Sequence, residues 1–211
     1  FSGTWEPLPG IILTSAGMKD NFVMKLDSAG NVLWTRTIGN ANSNEFAELA
    51  VQRNGDVFLA SGYWGAIDVD PGPGTYMLNS VGAPANVFIL HLDSSGNFID
   101  AGSIGGTGAS DACAALALTL DTAGSVYLAG AFEETMDLDP GLGTFNLTAV
   151  ADYDGFVAKF DPDLDLSWGY AVGDSGRDIV YSIATSDMGA VFAGGAYYGT
   201  MDFNPGPGVF N

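Results

Sequence analysis

Positive charge, histidine and cysteine are all scarce in this chain, and each scarcity excludes a class of function. The 211 residues include 6 Lys+Arg against 25 Asp+Glu, for a formal net charge of -19. Nucleic-acid binding depends on cationic contacts to phosphate, so this balance argues against a nucleic-acid partner and against anionic membrane surfaces. The single cysteine, Cys113, excludes an internal disulfide and lies among small apolar residues, as a buried, unreactive thiol does.

The scarcity of catalytic side chains and of long apolar runs excludes further classes of function. One histidine, His91, and one inert cysteine give no basis for a nucleophilic triad or a histidine-based zinc site. We therefore predict no catalytic residues and no cofactor, apart from the calcium considered below. No apolar run approaches the ~20 residues of a membrane-spanning helix, so membrane insertion is not predicted. Hydrophobic residues nevertheless make up 47% of the chain, enough to build a core.

Three landmarks recur in the same order along the chain. The first is NFVMKLDSAGNVLW (21–34), NVFILHLDSSGNFID (86–100) and GFVAKFDPDLDLSW (155–168). The second is GDVFLASG (55–62), GSVYLAG (124–130) and GAVFAGG (189–195). The third is IDVDPGPGT (67–75), MDLDPGLGT (136–144) and MDFNPGPGV (201–209). The spacings agree closely, since Phe22, Phe88 and Phe156 are 66 and 68 residues apart, which predicts a repeat protein.

Each repeat is predicted to consist of β-strands. Phe22, Met24 and Leu26 alternate with other residues at a period of two, which is typical of a half-buried strand. A glycine-containing turn follows and permits a hairpin, and a second hairpin such as ELAVQRNGDVFLASG comes next. In the third copy DPDLDL replaces the Gly-Asn turn, so a differently shaped hairpin tip is expected there. No segment has a capped helical stripe, and the fold class is predicted to be all-β.

Two hairpins give four strands in roughly 66 residues, and a lone sheet with two apolar faces must stack on its neighbours. A radial stack of such sheets is a β-propeller built of four-stranded antiparallel blades, and a β-sandwich is the alternative. We predict one propeller arc over residues 1–211, with units near 4–66, 67–135 and 136–200 and with 201–211 starting the next. Because propellers close with 4–8 blades, three units predict continuation in a longer chain or self-association through open blade edges.

The motifs FVAKFD, LDSAGN and GDVFLASG resemble the bacterial β-propeller repeats known as SBBP repeats, over nearly the whole chain. The DxDPGPG insert is similar to versions in large secreted or cell-surface proteins of Gram-negative bacteria, some exported by type IX secretion. The resemblance implies a propeller and an extracellular or cell-surface location. It implies no enzyme activity.

The aspartate loops are the best candidates for a binding site. Their acids are spaced i, i+2, which places both side chains of a pair on one face of an extended backbone. Calcium takes 6–8 oxygen ligands, and a tight Gly-rich turn adds backbone carbonyls to carboxylates. The alternative is purely structural, because Asp and Asn cap turns, Pro presets φ and Gly permits the reversal. The candidate calcium ligands are Asp68, Asp70, Asp137, Asp139, Asp202 and Asn204.

Other positions are weaker candidates. His91 aligns with Lys25 and Lys159 of the other copies, and we interpret it as a surface substitution. The motifs EFAEL (45–49), with Glu45 and Glu48, and DSGRD (174–178) are unique to their copies and are candidates for a binding rim. The tryptophans stack on sugar rings if they are exposed, or fill gaps between blades if they are buried: Trp5, Trp34, Trp64 and Trp168.

The sequence as a whole predicts a non-catalytic structural or interaction module of a secreted or cell-surface bacterial protein. Rigid blades would present loops to a protein or glycan partner, as in adhesion. A calcium-stabilised carbohydrate-binding propeller is one alternative. A segment of a carbohydrate-active enzyme, with catalytic acids partly outside these repeats, is the other.

Overall fold

The computed structural model of the chain describes residues 2–8, 10–42, 44–80, 85–106, 112–201 and 203. Within these ranges every regular element is a β-strand, so the predicted all-β class is confirmed. The same residues contain no helix long and apolar enough to cross a membrane. In chain order the strands are β1 (Thr4–Leu8), β2 (Ile11–Thr14), β3 (Asn21–Leu26), β4 (Val32–Ile38), β5 (Glu45–Val51), β6 (Val57–Tyr63), β7 (Ala66–Asp68), β8 (Met77–Asn79), β9 (Asn86–Leu92), β10 (Phe98–Gly106), β11 (Cys113–Leu120), β12 (Val126–Phe132), β13 (Thr135–Asp137), β14 (Asn146–Thr148), β15 (Asp154–Phe160), β16 (Leu166–Val172), β17 (Ile179–Thr185) and β18 (Val191–Ala196).

The longer strands form four antiparallel sheets, which we number I to IV. Sheet II has the strand order β5-β6-β9-β10, and sheet III has the order β11-β12-β15-β16. Sheet I is the hairpin β3–β4, and sheet IV is the hairpin β17–β18. Three short inserted hairpins, β1–β2, β7–β8 and β13–β14, carry the aspartate loops or the positions equivalent to them. The hydrogen-bonded sheets are thus offset from the predicted repeat units, each of which joins the second hairpin of one sheet to the first hairpin of the next.

The hairpin turns share one backbone geometry, and this includes one turn that lacks glycine. Gly30 has a φ of 85°, and its N–H donates to the carbonyl oxygen of Asp27. Leu164 occupies the same place in the third copy with a φ of 65°, and donates to Asp161 in the same way. The expectation of a differently shaped tip is therefore wrong. Leu164 is buried in the core, and this burial offsets the strain of the left-handed conformation.

The sheets pack face to face, so the inner ones are buried on both sides. One core cluster, which includes Phe58, Ile89 and Phe156, lies between sheets II and III. A second cluster joins sheet I to sheet II, and a smaller one joins sheet III to sheet IV. Every residue of β6, β9 and β12 is buried. The period-two alternation of the first landmark predicts half-buried strands, and this is wrong for its second copy, β9, because a sheet covers each of its faces. The alternating residues of β9 therefore face two apolar neighbours.

The inserted hairpins β7–β8 and β13–β14 each contact the sheet that precedes them. In β13, Met136 and Asp137 pair with Gly106 and Gly105 at the end of β10, and this extends sheet II to six strands. The earlier insert makes an isolated bridge between Gly39 and Asp68. The inserts therefore connect consecutive sheets at their outer strands.

Candidate functional site

The first aspartate loop is organised by its own carboxylates. One oxygen of Asp68 accepts the backbone N–H groups of Asp70 (3.2 Å) and Tyr76 (2.8 Å). Asp70 accepts the N–H of Gly72 at 2.7 Å. Both aspartates are half-buried, whereas Ile67 in β7 and Val69, which alternate with them, are fully buried, as the predicted common face of the two acids requires.

The second loop repeats this arrangement. One oxygen of Asp137 accepts from Asp139 (3.0 Å) and Phe145 (2.8 Å), and Asp139 accepts from Gly141 at 2.8 Å. Identical bonds in two copies indicate that the acids cap the turns, as Asx side chains do. Asp202 and Asn204 of the third loop lie outside the described residues.

The turn also packs against a neighbouring sheet. Pro140 lies so close to Gly102 in β10 that a Cβ on this glycine would overlap the ring. Leu138 lies equally close to Gly169 in β16. The loop therefore contacts the outer strands of sheets II and III at once, which accounts for its recurrence with every repeat.

Calcium binding at these loops stays a prediction. Within the described part of the chain, no group of three or more His, Cys, Asp or Glu side chains could hold a metal ion. A calcium ion would need 6–8 oxygens, and each of the first two loops offers two carboxylates that already accept backbone N–H groups. The described contacts of the loops are explained by capping without an ion.

His91 is buried, so its interpretation as a surface substitution is wrong. Its side chain stacks on Phe58 with ring centroids 4.0 Å apart and an interplanar angle of 18°. Its Nε2 lies 3.6 Å from an oxygen of Asp56, beyond hydrogen-bond range. Burial lowers the pKa of His91, and the nearby charge of Asp56 opposes that shift. Lys25 and Lys159, the aligned residues, also lie between sheets, where each extends its charged end to a polar partner. The alignment with lysines therefore did not indicate a surface position for His91.

Two motifs that are not repeated meet near a cavity at one end of sheets II and III. The cavity has a volume of about 170 Å³, and its lining includes Glu45, Phe46, Trp64 and Tyr153. These residues come from the start of β5 and from the segments that follow β6 and precede β15. Arg177 of the DSGRD motif lies 4.8 Å above the ring of Tyr153. Tyr153 thus lies under Arg177 of one predicted rim motif and lines the same cavity as Glu45 of the other.

The cavity has an aromatic wall and one acidic lining residue, Glu45. Phe46 is 58% exposed and has a φ of 55°, a left-handed conformation that a bulky residue rarely adopts. The carboxylate of Glu45 accepts a hydrogen bond from the ammonium group of Lys19 at 2.9 Å, and the two form an ion pair. Burial raises the pKa of the Tyr153 hydroxyl, and a hydrogen bond with Glu133 raises it further. Such a wall offers stacking surface beside polar groups, a common composition for ligand pockets.

The remaining candidates have structural surroundings. Glu48 is half-buried in β5, and this burial raises its pKa. Trp34 donates its ring N–H to the carbonyl oxygen of Ser94 in the neighbouring sheet, and Trp168 packs against Tyr127. Trp5 contacts Phe22 with ring centroids 5.0 Å apart. Of the four tryptophans, Trp64 alone lines the cavity described above.

Sequence reasoning did not single out Phe46 or Tyr153. Phe46 was visible inside EFAEL, but nothing in its spacing revealed the left-handed backbone that leaves its ring exposed. Tyr153 precedes the repeat landmark at 155–168 and has no pattern of its own. The signal that the sequence offered is that both positions lie in segments that differ from their counterparts in the other repeats.

Neither a scan against protein-family models nor a search of curated proteins found a match to this chain. The resemblance to SBBP repeats stays an expectation that depends on the motifs alone.

Proposed function

We propose that this chain is an arc of a β-propeller that acts as a non-catalytic interaction module of a secreted or cell-surface bacterial protein. The four-stranded order, the face-to-face packing and the repeat of about 66 residues support blades arranged around an axis. The motif resemblance supports the bacterial and extracellular assignment, and the net charge of -19 suits a solvated outer surface.

One observation carries the interaction role. The two unrepeated motifs come together at Tyr153, which lines the same cavity as Glu45 and lies under Arg177, although the motifs are more than a hundred residues apart in sequence. Structural residues of a repeat protein recur with the period, whereas a binding surface needs particular side chains at one place. The exposed ring of Phe46 gives that place an apolar anchor, and aromatic anchors dominate many interfaces.

A photo-crosslinking amino acid at position 46 tests the role directly. The matched control carries the same group at Met188, which is 96% exposed in the turn between β17 and β18. We expect a discrete crosslinked partner from the producing cell's envelope or surroundings with the group at 46 and none with it at 188. The same products from both positions would contradict a specific rim.

The aromatic wall also favours carbohydrate as a second class of partner, since tryptophan and tyrosine rings stack on sugars. Binding of an oligosaccharide would quench the fluorescence of Trp64, and Trp64→Ala would abolish the quenching. Trp168→Phe is the control, because Trp168 lies between sheets III and IV. Saturable quenching that Trp64→Ala removes would favour a glycan over a protein partner.

A further inference from the structure

The cavity lined by Phe46, Trp64 and Tyr153, called here the aromatic cavity, has the size of one side chain. Its volume is about 170 Å³, and it lies at one end of sheets II and III, both of which have four strands. An apolar cavity of about 150 Å³ is large enough to hold a benzene ring. The aromatic cavity therefore accommodates one apolar side chain of similar size.

The rest of its lining selects for an apolar group. Apart from the aromatic residues and Glu45, the described lining residues are small: Gly62, Ala85, Ala112, Cys113 and Ala114. The thiol of Cys113 already donates to the carbonyl oxygen of Ala85 at 3.4 Å. These small residues offer no charged group and no hydroxyl. A polar group that entered the cavity would lose its hydrogen bonds to water, whereas an apolar side chain would not.

A second, acidic space adjoins the aromatic cavity. This acidic hollow has a volume of about 470 Å³, and its lining includes Glu133, Glu134 and Asp152. Glu133 joins the two spaces, because its N–H donates to the carbonyl oxygen of Ala112 at 2.8 Å and its carboxylate forms a hydrogen bond with Tyr153. In the described part of the chain, none of the three acids forms an ion pair. Their charges are therefore available to a partner.

One exposed residue at each of these two spaces has a strained backbone. Glu134 has a φ of 53°, at a position where the other copies have Gly65 and Gly199 with φ values of 72° and 80°. Phe46 has a φ of 55°. Leu164, which also has a positive φ, is buried in the core, whereas Phe46 and Glu134 are exposed. Their packing does not explain their strain, and strained residues are concentrated at functional sites.

We propose that the partner at this surface is a basic peptide segment, with one apolar side chain in the aromatic cavity and lysine or arginine side chains over the acidic hollow. Charge complementarity selects this partner, because the chain has a net charge of -19 and the acids of the hollow are unpaired. Two of the 6 Lys+Arg of the chain already lie at this surface, where Lys19 pairs with Glu45 and Arg177 lies over Tyr153. The inference rests on the proposed function and names the class of its partner.

Selection from a displayed random peptide library, with the whole chain immobilised, tests the chemistry of the partner. We expect the enriched peptides to share one large apolar residue with lysine or arginine close to it on either side. Replacing that apolar residue by alanine in a synthetic peptide should raise its dissociation constant at least about tenfold, because the anchor is lost. Enriched peptides that are acidic, or that share no pattern, would overturn the proposal, and so would the absence of enrichment.

Variants of the chain test whether the peptides bind at this surface. Phe46→Ala should raise the dissociation constant of a selected peptide at least about tenfold. Glu134→Gly restores the residue that the other copies have, so it should keep the fold, and it should weaken binding about two- to fivefold at low salt and less at high salt.

The matched control is Asp187→Asn, which removes one exposed charge in the turn between β17 and β18. This control should leave peptide binding unchanged. If it weakens binding as much as Glu134→Gly does, the peptides respond to the net charge of the chain, and the proposal is overturned.

The outcomes separate this inference from the proposed function. A position-46 crosslink to an acidic segment or to a glycan would overturn the basic partner and leave the interaction role. Selected basic peptides that require Phe46 and Glu134 would support the basic partner. The absence of both a crosslinked partner and a selected peptide would contradict the two proposals together.

Discussion

The four-stranded sheets II and III and the two-stranded sheets I and IV share one sequence pattern. They differ in how far neighbouring strands and sheets bury the equivalent side chains. Phe156 in sheet III is completely buried and its equivalent Phe22 in sheet I is 38% exposed; Phe58 in sheet II is completely buried and Phe192 in sheet IV is 63% exposed. The backbone hairpins are alike in all four places. In a stacked repeat, therefore, the stabilisation from an apolar side chain depends on the neighbouring unit as much as on its own strand.

The largest effect should come from truncating equivalent phenylalanines. Phe156→Ala should lower the free energy of unfolding by about 3–5 kcal/mol, because a fully buried ring leaves a cavity. Phe22→Ala should cost about 1–2 kcal/mol in dilute solution, because part of its ring is already in water. Urea denaturation followed by circular dichroism measures both.

Equal losses from the two variants would contradict the difference between the four-stranded and the two-stranded sheets.

A smaller effect is expected at the aspartate loops. Asp137→Ala removes the acceptor of two backbone N–H groups and should cost about 1–2 kcal/mol. Asp68→Ala should cost less, because its hairpin meets sheet I through one bridge whereas β13 pairs twice with β10. Melting temperatures of the two variants provide the measurement, and a larger loss from Asp68→Ala would reverse the comparison.

Asparagine variants separate capping from the calcium prediction. Asp137→Asn keeps the oxygen that caps the turn and removes the charge that a cation needs. Capping alone predicts a nearly unchanged melting temperature for this variant, with or without chelator. A calcium-dependent rise in the wild type that Asp137→Asn abolishes would instead support an ion in the loop.

The smallest effect concerns pH and the interface between sheets II and III. Burial lowers the pKa of His91 in the folded chain, so the unfolded chain binds a proton first as pH falls. The contribution of neutral His91 is therefore complete above the unfolded value of about 6.5 and is lost as pH falls through the folded pKa. Asp56, Asp100 and Asp163 are the charges that favour protonation and limit the loss.

The measurement is the urea midpoint between pH 7.5 and pH 5.5. We expect the wild-type midpoint to fall over this range and the midpoint of His91→Gln to fall less. Parallel pH curves for the two proteins would show that His91 is not the titrating group.

The sequence predicted the strands, the turns and the common face of Asp68 and Asp70 because each depends on local chemistry. Alternation, positive-φ glycines and Asx capping act over a few residues and appear in any one copy. The burial of His91 was not predictable in this way. It depends on Phe58 and on the next sheet, and a single strand pattern contains no information about either.

The candidate site was predicted in part, for a related reason. Departure from the repeat marked Glu45 and Arg177, but nothing in their spacing placed them near one tyrosine. That proximity comes from the stacking of consecutive sheets, which brings the start of β5 close to the segment before β15. Leu164 shows the reverse case, because tertiary burial kept a turn that its sequence did not favour.

The pairing of the inserted hairpin β13–β14 with the preceding sheet also affects how the chain resists tension. The outermost strand β10 is held on one side by β9 and at its end by β13, which belongs to the following repeat. A pull on β10 must therefore detach the next repeat's insert before the strand can peel away. Overlap of this kind lets neighbouring repeats share a mechanical load.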